Sequence, residues 1–230
     1  MEEERYRILK KIGEGATAEV FLAYDAVTDR RVAIKCGFRR GLLQREARMQ
    51  AMLSHSAFPC LYDYAEREGK SLLFMEYIEG ENLKQRRHRI RFYRQQEAVR
   101  IVQGTAEALL PLHEAQIPFV YGDIKPEHIL LQPDGKLRLV DLGAAVAADR
   151  DSPFKRGGTP GYVPPETWSG RPDPRNDIYA LGKLMQMLTE DGKSLPSPGY
   201  RAVAERCVQR DPAARYRSLR EFLAAMRKIG

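Results

Sequence analysis

The chain has 230 residues, 43% of them hydrophobic, and a formal net charge of +7. This length and apolar share suit one large domain or two small lobes around a packed core, and exclude a disordered chain. No apolar run approaches the ~18 residues that span a bilayer, and the acidic start Met1-Glu2-Glu3-Glu4 is unlike a secretory leader, so a soluble cytoplasmic protein is expected.

The first part of the chain reads as strands. Arg7-Ile8-Leu9 leads into a glycine-rich turn, and Val20-Phe21-Leu22-Ala23-Tyr24, Arg31-Val32-Ala33-Ile34-Lys35 and Leu72-Leu73-Phe74-Met75 follow as β-branched or apolar runs. One helix interrupts them, where Leu42, Leu43, Met49, Met52 and Leu53 recur near helical spacing. The second part reads as helices over Ala98–His113, Asp177–Leu188 and Tyr216–Ile229. Two short strands lie among them, Ile129-Leu130-Leu131 and Leu137-Arg138-Leu139-Val140, split by a Pro133-Asp134-Gly135 turn. The expected class is α+β: a small antiparallel sheet lobe (residues 1–78) and a larger helical lobe (residues 79–230), with Gly80 as a flexible point at the seam.

Several segments carry chemistry. Ile12-Gly13-Glu14-Gly15-Ala16-Thr17-Ala18-Glu19-Val20 joins two strands; it reads as a hairpin turn or as a phosphate cradle, since glycines let backbone N–H groups approach an anion closely. Ala18 stands where such a cradle could hold a third glycine. Lys35 ends an apolar strand, and a buried ammonium needs a counter-charge. Glu46, the sole acidic residue between Asp29 and Asp63, is its natural partner. In Tyr121-Gly122-Asp123-Ile124-Lys125-Pro126-Glu127-His128, Asp123 can accept a hydroxyl proton while Lys125 neutralises a transferring phosphate. Asp141-Leu142-Gly143 follows a strand; it reads as a plain turn or as a carboxylate for a hard cation such as Mg²⁺. Cys36, Cys60 and Cys207 show neither metal nor disulfide spacing and read as small buried hydrophobes in a reducing compartment. Lys84, Arg86, Arg87, Arg89, Arg91 and Arg94, with His88 among them, form either a solvated face or a dock for nucleic acid or another acidic surface.

This ordered set resembles the protein-kinase signature of glycine loop, strand lysine, helix glutamate, catalytic loop and metal aspartate, from about Tyr6 to Phe222. Gly158-Thr159-Pro160-Gly161-Tyr162-Val163-Pro164-Pro165-Glu166 is similar to the end of a kinase activation segment. Asp177-Ile178-Tyr179-Ala180-Leu181-Gly182 is similar to the start of the large helix below it, and Arg215 to the arginine that pairs with Glu166. The chain is thus identified as a member of the bacterial-type Hanks serine/threonine kinases, with the bilobal kinase fold. The resemblance implies that ATP lies against Ile12, Gly13, Gly15, Val20, Ala33 and Leu130, with Met75 as gatekeeper and backbone groups of Glu76 and Ile78 at the adenine edge. It implies that Lys35 contacts the α/β-phosphates and Glu46 orients it. Asp123 is the base, Lys125 meets the γ-phosphate, and Asp141 binds Mg²⁺. Lys125 and Thr159 point to serine or threonine in protein substrates, the chain itself included; Thr159 and Ser152 are candidate autophosphorylation positions.

Four departures from the pattern stand out. Gly122 replaces an arginine that pairs with a phosphorylated activation loop, implying activity without such phosphorylation or control by another route. Tyr121 replaces a histidine in a packing role, and Leu142 replaces a phenylalanine. His128 replaces the second metal-binding asparagine. Imidazole suits Mg²⁺ poorly, so the second metal is lost, water-held or Mn²⁺, unless His128 only hydrogen-bonds its own loop. A catalytically weak scaffold is the alternative reading, and a small-molecule kinase a further one, since Gly122-Asp123 also resembles a pair found in such enzymes.

Overall fold

The structure, a computed structural model, describes residues 5–53, 55–149, 159–168, 171–190 and 196–229. Residues 1–4, Ser152 and Gly158, named above, lie outside these ranges. The chain divides into two compact units, Met1–Glu79 and Gly80–Gly230.

The first unit is a five-stranded antiparallel sheet with one helix. Its strands are β1 (Tyr6–Glu14), β2 (Ala18–Asp25), β3 (Arg30–Gly37), β4 (Leu61–Arg67) and β5 (Lys70–Glu76), in the order β1-β2-β3-β5-β4. Helix α1 (Gln44–Met52) follows β3. Alternation gives the sheet two apolar faces. Ala18 and Leu73 pack with Leu43 and Ala47 at the helix, while Ala23, Val32, Ile34 and Phe74 gather separately with Tyr6. The stripe expected on α1 is only partly used: Met49 is buried, but Met52 is exposed.

The second unit starts with β6 (Glu81–Asn82) and α2 (Leu83–Ile90), so the basic stretch begins as a helix. Asn82 caps it with a reciprocal box, its side chain accepting from Gln85 N while the Gln85 side chain accepts from Asn82 N. Helix α3 (Gln95–His113) buries Val99, Val102, Ala106, Leu109 and Leu112. Then come β7 (Phe119–Val120), a 3-10 turn at Pro126–His128, β8 (Ile129–Leu131), β9 (Leu137–Leu139) and β10 (Val146–Ala147). Strands β6, β8 and β9 form one small sheet, and β7 and β10 another. After a second 3-10 turn at Pro165–Trp168 come α4 (Arg175–Leu188), α5 (Pro198–Cys207) and α6 (Leu219–Met226). The last helix is shorter than its periodicity suggests. Pro212–Ala214 forms a separate turn, and Ser218 starts α6 by accepting a hydrogen bond from Glu221 N.

At Gly80 a Cβ would lie 2.7 Å from the carbonyl oxygen of Leu131, so glycine permits the close approach of two backbones there. The cysteines differ from expectation: Cys207 is buried, but Cys36 is half-buried and Cys60 exposed. Among the described residues, no helix is long and apolar enough to cross a membrane.

Gly80→Ala is expected to lower the unfolding free energy by about 1–3 kcal/mol through overpacking, whereas Gly199→Ala would meet only ordinary contact, 3.8 Å from Ile229 Cγ1, with no positive φ, and should cost nothing. Urea unfolding of both variants checks this; equal midpoints would contradict it.

Candidate active site

In the first unit, Lys35 sits on β3 between Val20 of β2 and Leu73 of β5. Its ammonium donates to both oxygens of Glu46, at 2.9 and 2.8 Å. Both residues are buried. Glu46 lies in the first turn of α1, where the helix dipole adds to the attraction for a carboxylate. Leu43, which precedes the helix, offers no side-chain cap; its N–H instead donates to Ser71 Oγ at 3.3 Å.

The glycine-rich segment is the β1–β2 hairpin itself, closed by Gly15 N donating to Ala18 O at 2.8 Å. Neither Gly13 nor Gly15 has positive φ. Ala18 is a buried strand residue opposite Gly37, so alanine meets no steric objection there. Ile12 is exposed at the hairpin, Val20 is half-buried, and Ala33 is buried opposite Met75. Glu76 N donates to Cys60 O at 2.9 Å. Ile78 is buried.

In the second unit, the Tyr121–His128 loop converges on one carboxylate. Asp123 Oδ1 accepts from the N–H of Thr159 at 3.2 Å and from its hydroxyl at 2.8 Å. Asp123 Oδ2 is 2.8 Å from Lys125 Nζ. A carboxylate offers about four lone-pair directions; Thr159 takes two on Oδ1, so an incoming hydroxyl would meet Oδ2 beside Lys125 and His128, whose Nδ1 lies 3.3 Å away. Asp141, at φ +72°, accepts from Gly143 N at 3.0 Å. Leu130 is half-buried on β8.

The loop is held from below by a residue that sequence reasoning noted only as the start of a helix. Asp177, in the first turn of α4, accepts from the backbone N–H of Tyr121 at 2.8 Å and of Gly122 at 2.9 Å. His113 Nε2 stands 2.9 Å from the same carboxylate. The available signal was an aspartate at a helix start followed by an apolar stripe, and a lone histidine ending another helix. Tyr121 is more than packing, since its hydroxyl donates to Val140 O. Gly122 has φ +79°, and a Cβ there would lie 3.1 Å from Ala144 O. An arginine would therefore be strained as well as differently charged.

Glu166 and Arg215 meet as a two-pronged pair, Nη1 to Oε1 at 2.6 Å and Nη2 to Oε2 at 2.8 Å. The Arg215 side chain is 0% exposed. It also donates to the carbonyls of Gln209 and Arg175, while Asn176 Nδ2 donates to Glu166. A guanidinium can be buried this deeply because its planar fork is matched nearly donor for donor. With the loop carboxylate and this pair in place, comparison with known proteins is decisive. The protein kinase domain family matches residues 6–218. The chain belongs to that family. Among its relatives, the serine/threonine-protein kinase PrkC of Bacillus subtilis is 34% identical over 87% of this chain and 32% of its own length. The serine/threonine-protein kinase PknA of Mycobacterium tuberculosis is 30% identical over 98% of this chain and 61% of its own length. The chain thus spans about a third of the first of these kinases and less than two thirds of the second.

A kinase domain implies a divalent cation, and the donor set answers unevenly. Asp141 supplies a hard carboxylate, which fits Mg²⁺. His128 supplies only imidazole nitrogens, which do not. Its Nδ1 donates to Asp123 O at 3.1 Å and lies 3.3 Å from Asp123 Oδ2, while Nε2 is 3.7 Å from Asp141 Oδ2. Burial pushes the His128 imidazole below its usual range, against the pull of the Asp141 and Asp123 carboxylates. Among the described residues, no three histidine, cysteine or acidic side chains gather as a metal cage.

The basic stretch is largely matched by local acids. Lys84 pairs with Glu127, Arg86 with Glu97, and Arg89 with Glu81. Arg87 donates to Met187 O.

Arg215→Ala leaves Glu166 partly buried without its partner and is expected to cost about 3–5 kcal/mol. Arg215→Lys keeps the charge but not the fork and should recover little of it. Denaturant unfolding checks both; recovery of most of the stability by lysine would contradict the geometry.

Proposed function

We propose that this kinase domain transfers the γ-phosphate of ATP to serine or threonine hydroxyls of protein substrates, itself included. The observation that carries the reading is the Asp123 carboxylate, gripped by Thr159 and flanked by Lys125 at 2.8 Å. On this reading Asp123 accepts the proton of the substrate hydroxyl. That oxygen forms the new bond to the γ-phosphorus as the bond from phosphorus to the β–γ bridging oxygen breaks, and ADP leaves. Lys125 offsets charge on the transferring group. Lys35, aligned by Glu46, contacts the α/β-phosphates. Thr159 positions Asp123 and favours small aliphatic hydroxyl acceptors.

Asp141 is the residue to hold Mg²⁺, which when bound would offset phosphate charge. Ile12, Val20, Ala33 and Leu130 supply apolar surface for the adenine, with Gly13 and Gly15 at the phosphates. Met75 borders the ring, and Glu76 and Ile78 offer backbone groups to its edge. Because the Glu76 N–H already donates to Cys60, its contact would use the carbonyl. Gly122 leaves no cation there to read a phosphorylated loop, which favours activity without that modification. We place the domain in the cytoplasm, where ATP is plentiful. Any contact with nucleic acid or another acidic surface through Lys84–Arg94 would rest on Arg91 and Arg94, the basic residues of that stretch outside the contacts described above, with His88 in the last turn of α2.

Transfer of labelled phosphate from Mg-ATP to the protein itself and to a serine/threonine peptide library tests the reading. Asp123→Asn is expected to slow transfer by about 10²–10⁴-fold, and phosphoamino-acid analysis should return phosphoserine or phosphothreonine. A wild type no faster than Asp123→Asn would leave a catalytically silent scaffold. Transfer only to amino-sugars or choline would indicate a small-molecule kinase.

A further inference from the structure

The segment after Thr159 lies against the Tyr121–His128 loop and the first turn of α4, and between these three elements is a cavity with room for a water molecule. Its wall carries Asp123, Thr159, Tyr162, Thr167, Asn176 and Asp177. Thr167 is 4% exposed, yet its Oγ1 has no hydrogen-bond partner among the described residues. The backbone around it is held: Thr167 N donates to Pro164 O at 3.1 Å, and the preceding Glu166 is gripped by Arg215. A buried hydroxyl left unpaired costs about as much as a lost hydrogen bond. A cavity lined by polar groups is where a buried water supplies the missing partner.

The hydrogens on the wall determine which way the bonds run. The Thr159 hydroxyl gives its one hydrogen to Asp123 Oδ1 at 2.8 Å, so a further partner of that oxygen must donate to it. Asp177 Oδ1 accepts from Gly122 N at 2.9 Å and has a lone pair to spare. A water has two hydrogens to give, one for each of these oxygens, and can receive the Thr167 hydrogen in return. The order that satisfies every group is Thr167 to water, water to Thr159, Thr159 to Asp123. Each bond in such a chain polarises the next, so the water strengthens the hold of Thr159 on Asp123.

We propose that Thr167 Oγ1 seats a buried water that braces Thr159, which makes Thr167 a positioning residue for phosphoryl transfer; the positioning half of the proposal rests on the kinase reading above. Valine has nearly the shape of threonine and no hydroxyl. It would fill the same wall and lose the brace, so Thr167 matters for its oxygen rather than for its bulk.

A high-resolution crystal structure of the protein tests the water directly and requires no variant. Density for a water within about 3.2 Å of both Thr167 Oγ1 and Thr159 Oγ1 is expected. A Thr167 hydroxyl bonded to a protein group, or no water at that point, would overturn the proposal. Steady-state phosphorylation of a peptide tests the role. Thr167→Val should lower kcat about 2–10-fold, the worth of one neutral hydrogen bond, with KM for ATP and peptide unchanged, and Thr167→Ser should keep most of the wild-type kcat. A valine variant as fast as the wild type, or a serine variant as slow as the valine one, would overturn the positioning role. Urea unfolding of Thr167→Val should give a midpoint at or slightly below that of the wild type; a raised midpoint would mean that valine had relieved an unpaired hydroxyl, which contradicts the seated water. A wild type that transfers no phosphate would overturn the kinase reading and the positioning role with it, while the density and the midpoint would still decide the water.

Discussion

One buried carboxylate organises the second unit. Asp177 is 1% exposed and accepts hydrogen bonds from two consecutive backbone amides, those of Tyr121 and Gly122, with His113 alongside. A buried anion is costly unless it is fully satisfied, and these donors together with the α4 N-terminus satisfy it. The same bonds determine where residue 123 lies. Tyr121 adds a tie to Val140, next to Asp141, so both acidic residues of the site inherit their placement from groups that never meet a substrate. Glu166 and Arg215 do the corresponding work for the segment after Thr159, which in turn grips Asp123.

Local chemistry made much of this legible. Apolar and β-branched runs marked β2, β3 and β5, and Glu46 could be matched to Lys35 because no other acid lay nearby in the chain. The order of short motifs did the rest, including the pairing of Arg215 with Glu166 across 49 positions. What stayed hidden depends on distance in the chain rather than on pattern. The Asp177–His113 contact spans 64 residues, and neither residue type announces a partner. The Gly80 approach to Leu131 O is backbone geometry, to which periodicity is blind. Helix ends moved for local reasons: Ser218 captures the start of α6, and Tyr216 packs edge-on against Phe222 rather than lying within the helix.

The basic stretch shows why a run of charge is weak information. Read along the chain, it is a block of cations. In three dimensions, Glu81, Glu97 and Glu127 come from separate elements to meet it. The exposed pairs among them contribute little stability, but all reduce the field available to a distant anionic partner. The departures inside the Tyr121–His128 loop have the opposite character. Each departure changes one side chain at a place where hydrogen bonds hold the backbone, so its effect is focused.

Gly122 illustrates what such focus means. Its backbone occupies the left-handed region, and the carbonyl of Ala144 fills the space a Cβ would need. A side chain at this position would press its Cβ against that carbonyl, 3.1 Å away. Any basic group that serves this loop is therefore best rooted elsewhere in the chain, where its stem has room.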